Sequence, residues 1–180
     1  MCHFITLIAP TDDEAAVKAV MDRHGRAAEP IDNPSIRALL GPAERQYLTT
    51  RGHCDCGSVL APRHLEPPEA FEERLAREAS RMARKGWSQA KIARAIEDRR
   101  KAASRPDGGG DDSIELWVAV IGDLMKSLRL PYAGLLVRLY SGAIATEAFK
   151  ATRRDIPSNG VLAEALASIA HDEVTIFRAA

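Results

Sequence analysis

Between Ser113 and Pro131 the residues Ile114, Trp117, Val118, Ile121, Leu124, Met125 and Leu128 recur at intervals of three and four. That spacing places them on one side of a helix, and an apolar face this continuous has to be buried. Ser113 supplies the cap and Pro131 the stop. The segments able to meet such a face read as strands. Residues 2–8 are short, apolar and β-branched and end at Pro10; 134–140 reads Gly-Leu-Leu-Val-Arg-Leu-Tyr; 46–50 and 173–178 are two further runs of strand character.

The remaining segments complete the outline. Thr11 and Glu14 form a capping box, opening a helix with Val17, Val20, Met21 and His24 on one side and Gly25 at its end. A short helix is predicted at 35–40 and another at 158–169, while 26–34, with Pro30 and Pro34, and 53–68 read as loops. Two β-α-β units therefore flank a helical block. This predicts a single α+β domain over 1–180. Its four-stranded sheet is built from the two units, with helices on one face and a helical arm inserted at about 69–105. The run 106–112, Pro-Asp-Gly-Gly-Gly-Asp-Asp, reads as a Gly-rich linker.

With 180 residues, 46% of them hydrophobic, the chain has enough apolar material for a core without staples, which excludes a disordered polymer. Its 25 basic and 25 acidic residues cancel, which excludes a whole-molecule polycation. The amino terminus lacks the basic flank of a signal peptide, and no apolar run reaches the roughly 20 residues of a spanning helix. Three cysteines, two of them only two residues apart, do not make a disulfide framework. The expectation is a soluble, reduced, cytoplasmic protein without membrane contact.

The most unusual local sequence is His53-Cys54-Asp55-Cys56-Gly57. Thiolate and imidazole are the donors that zinc prefers. In extended chain Cys54 and Cys56 point the same way. If the first two strands are neighbours, Cys2 joins them. Cys2, His53, Cys54 and Cys56 are thus the candidate metal ligands, with His64 or His3 able to complete a set of four. Two other readings attach to these thiols. One is a redox or catalytic role for Cys54 or Cys56, which needs a base and a depressed pKa. The other is an amino-terminal nucleophile at Cys2 after removal of Met1. The alternative to all of these is three inert thiols in the core and in a turn.

The second unusual feature is charge. Residues 74–105 hold eleven basic and three acidic residues, +8 inside a neutral chain, which leaves −8 on the remainder. Arg74, Arg77, Arg81 and Arg84 form one helical stripe and are the candidate partner-binding residues, for phosphates or for an acidic protein. A solvated face is the plainer explanation. Residues 86–96 resemble the first helix of a bacterial helix-turn-helix, on Ser88, Ile92, Ala93 and Ile96. No turn and recognition helix follow; 97–103 continues as charged helix.

No phosphate-binding loop, nucleophile elbow or HExxH motif is present. With no catalytic motif and a divided charge, the function expected is a small non-catalytic protein-binding module, of inhibitor or immunity type, that neutralises a partner protein. The alternatives are a zinc-binding or thiol-dependent protein using Cys54 and Cys56, and a nucleic-acid binder using 74–105.

Overall fold

The computed structural model describes residues 2–61, 68–104, 112–156 and 161–179. By its packing the chain divides into two compact units, Met1–Pro62 with Gly109–Ala180, and Arg63–Gly108. In chain order the elements are β1 (Cys2–Ala9), α1 (Glu14–Arg23), β2 (Glu29–Ile31), α2 (Pro34–Arg37), β3 (Arg45–Leu48), α3 (Pro68–Arg84), α4 (Gln89–Ser104), α5 (Ile114–Ser127), β4 (Tyr132–Tyr140), β5 (Thr152–Ile156), α6 (Leu162–Ala167) and β6 (Glu173–Arg178).

The class is α+β, but the sheet has six strands rather than four, in the order β2-β3-β1-β4-β6-β5. The two strands missing from the sequence reading are the two edges. β2 is three residues long with Pro30 at its centre, and β5 reads Thr-Arg-Arg-Asp-Ile. Proline and charge are what edge strands carry to discourage further pairing, and they erase the alternation that marks a strand.

The two expected β-α-β units are also corrected. β1 pairs β3 antiparallel and β4 pairs β6 antiparallel. Only β5 and β6 run parallel, and α6 is the crossover between them. The amino- and carboxyl-terminal halves share one sheet through β1 and β4, aligned from Cys2 opposite Tyr140 to Ile8 opposite Gly134.

Helices cover both faces, not one. Ile5 and Leu7 of β1 with Leu135 and Val137 of β4 meet Val17, Val20 and Met21 of α1, Trp117, Val120, Ile121 and Leu124 of α5, and Leu166 of α6. On the other face Ile8, Leu136, Val174 and Ile176 pack with Ile36 of α2. Burial on both faces explains why β1 reads as a continuous apolar run. Ser113 caps α5 as its sequence predicts, accepting from the Leu116 N–H. The cap of α1 is Asp13, which accepts from the Ala16 N–H; Thr11 accepts from the Asp13 N–H instead of forming the predicted box.

The Arg63–Gly108 unit is a helical hairpin. α3 and α4 pack together, with Leu75, Met82 and Ile96 buried. Gly86 takes φ +79° in the turn between them, a conformation that favours glycine. Glu78 pairs with Arg99 and Glu72 with Arg100, which fixes the two helices antiparallel. The segment resembling a helix-turn-helix lies in α4, which continues unbroken through the charged run to Ser104. Of the expected Gly-rich linker only Asp112 is among the described residues.

Candidate metal centre

The site forms where β3 leaves the sheet. Beyond Leu48 the chain still follows β1 for one residue, as the Thr49 N–H and hydroxyl both donate to the Ile5 carbonyl. It then turns through the exposed residues 51–53 and returns to the same edge of β1. There the Asp55 N–H donates to the His3 carbonyl at 2.8 Å, and the His3 N–H donates to Cys56 Sγ at 3.2 Å. The loop therefore takes the place that a longer β3 would have occupied. Backbone groups of β1 that would otherwise be orphaned find partners in it.

Asp55 anchors this loop. Its carboxylate is buried and accepts from the Ile5 N–H at 2.9 Å, from Arg26 Nη2 at 2.5 Å and from the Thr50 hydroxyl. Arg26 lies over the ring of Trp117, 4.7 Å from its centroid, and also donates to the Thr49 hydroxyl. Asp55 is buried while Cys54 and Cys56 on either side of it are half-buried, and a turn begins at Asp55, whose carbonyl accepts from the Ser58 N–H. Cys2, at the start of β1, meets them there.

The result is that Sγ of Cys2, Cys54 and Cys56 all lie within 4.8 Å of one another. Sulfurs bound to a tetrahedral ion at about 2.3 Å are about 3.8 Å apart, so small side-chain adjustments suffice to close on an ion. The three cysteines thus lie close enough to hold a metal. All three are half-buried free thiols. Burial pushes the Cys56 thiol up to about 11; the His3 N–H opposes this, and Cys54 and Cys2 add to it. A cation bound among the three sulfurs would favour their thiolate forms.

The histidines divide. His53 is exposed in the turn, and like His3 it stands outside the three-cysteine group. His64 lies outside the described residues. His3 is buried, with Nδ1 3.9 Å from Cys56 Sγ and its ring edge-on to His171 at 5.0 Å. Asp55 and Arg26, which hold the loop in place, were missed. The signal was a carboxylate set between two cysteines, where solvent exposure is the ordinary assumption.

Of the basic stripe, Arg77 pairs with Glu73 on its own helix and Arg74 lies 5.0 Å from the ring centroid of Phe71. Arg81 and Arg84 are exposed near the end of α3. No helix among the described residues is long and apolar enough to cross a membrane. No protein family model matches the chain, and no curated protein or solved structure matches it.

Proposed function

We propose that the protein binds one zinc ion through the thiolates of Cys2, Cys54 and Cys56, with His3 Nδ1 as the fourth donor. The observation that carries this reading is the convergence of all three cysteines of the chain at one point. Two of them arrive on a loop anchored by a buried Arg26–Asp55 pair. Three sulfurs and one nitrogen make a closed tetrahedral set of the structural kind. The ion ties the first residues of β1 to the 53–57 loop, and the His3 N–H to Cys56 Sγ contact becomes a hydrogen bond to a metal-bound thiolate.

Cobalt(II) titration of the metal-free protein tests the donor set. The expected product shows intense tetrahedral d–d bands and thiolate-to-cobalt charge transfer at one equivalent. Cys54→Ser loses the complex, and His3→Gln alters the d–d envelope while keeping the charge-transfer band. Absence of charge transfer on cobalt addition overturns the site; an unaltered spectrum in His3→Gln removes His3 from it. A structural ion of this type performs no chemistry itself.

A further inference from the structure

The charge of the helical hairpin is not spread evenly. Toward its root the cations are neutralised: Arg77 by Glu73, Arg99 by Glu78, Arg100 by Glu72 and Lys101 by Glu97. Around the turn they are not. From Ala79 to Ile96 the chain holds Arg81, Arg84, Lys85, Lys91 and Arg94 and no acidic residue. All five are exposed, and among the described residues none pairs with a carboxylate. Trp87 stands in the same turn, 38% exposed, with the Lys91 ammonium 4.1 Å from its ring centroid. The turn thus presents one partly exposed indole beside five cations that have no carboxylate partner among the described residues.

We propose that the hairpin turn is a binding site for single-stranded nucleic acid. Arg81, Arg84, Lys85 and Arg94 meet the phosphates, and the Trp87 indole stacks on an unpaired base. Charge complementarity selects a polyanion. The exposed indole favours one that offers a flat aromatic face at every unit, as a nucleic acid does. An unpaired base is needed because α3 and α4 end in a tight turn at Gly86 and present no recognition helix to a duplex groove. The site involves none of the cysteines and is independent of the zinc reading.

The test uses the full-length protein and a labelled oligothymidylate of about 15 nucleotides, titrated by anisotropy over a salt series. Polyglutamate and anionic phospholipid vesicles serve as competing probes. The expected result is binding whose log–log salt slope is about −3 for four or five phosphate contacts. Trp87 fluorescence is quenched, while Trp117, fully buried, keeps its emission. Trp87→Ala weakens binding about tenfold or more, and the pair Arg81→Glu with Arg84→Glu abolishes it. Both sets of positions are exposed, so the far-ultraviolet circular dichroism stays as in the parent. The proposal is overturned by no binding at low salt, by equal binding of polyglutamate, by binding of vesicles without the oligonucleotide, or by binding that these substitutions leave intact.

Discussion

The side chain of Asp55 accepts a hydrogen bond from the backbone N–H of Ile5, 2.9 Å away and fifty positions distant in the chain. That bond and the Arg26 contact make Asp55 the hinge between the core and the cysteine loop. Asp55→Ala removes the nearer carboxylate of the Arg26 guanidinium, 14% exposed, leaves it only Asp112 at 4.0 Å, and orphans the Ile5 N–H. The expected loss is about 3–5 kcal/mol in urea unfolding of the metal-free protein. The loop also loses its orientation, so zinc affinity falls about 10–100-fold in competition with a chromophoric chelator. Unchanged affinity would separate the loop anchor from the site.

Cys54→Ser and Cys56→Ser each remove one thiolate donor to the ion, and a serine hydroxyl at 56 can still accept from the His3 N–H. Each variant is expected to melt at the temperature of the chelator-treated parent, and added zinc moves the parent but not the variants. A site that contributes nothing to folding shows no difference between parent and variants in either condition.

Acid dependence is expected from a different place. Arg138, hydrogen-bonded to Glu147 at 2.8 Å, holds its carboxyl down at about 2. Burial opposes this, and the N–H groups of Gly142 and Ser141 assist the lowering. A depressed folded-state value stabilises the protein above the ordinary value of 4.5 and is lost as pH falls from there through about 2. The stability difference between the parent and Glu147→Gln should be flat above 4.5 and narrow below it. A difference independent of pH across that window contradicts the pairing.

Gly134 sits at the crossing of β1, β4 and β6. A Cβ there would lie 2.5 Å from Ile176 Cδ1 and 3.1 Å from the Thr175 carbonyl oxygen. Gly134→Ala should cost about 1–3 kcal/mol in denaturant unfolding. Adding Ile176→Val removes the closest atom and restores part of that loss, the carbonyl contact accounting for the rest. Full additivity of the two substitutions would contradict the clash.

The interior of the sheet was legible in the sequence because β1, β4 and β6 are buried on both faces and read as apolar runs. The edges were not: Pro30 and the Arg153-Arg154-Asp155 run carry signals that argue against strands. α5 was legible because its cap, its apolar face and its stop agree. For the site, the i, i+2 spacing of Cys54 and Cys56 was informative. Being next to Cys54 in sequence left His53 in an exposed turn, while His3 reached Cys56 across the sheet edge. What placed Cys2 beside the loop was a set of hydrogen bonds to the β1 backbone, made by the Asp55 N–H and carboxylate and the Cys56 sulfur, which the spacing of the cysteines does not encode.

The most direct measurement is zinc content per chain on protein purified without chelator, with reactive thiols counted before and after chelation. The account predicts about one zinc per chain, thiols protected from alkylation, and all three cysteines reacting once the metal is removed. No metal, with three thiols reactive from the start, would contradict it.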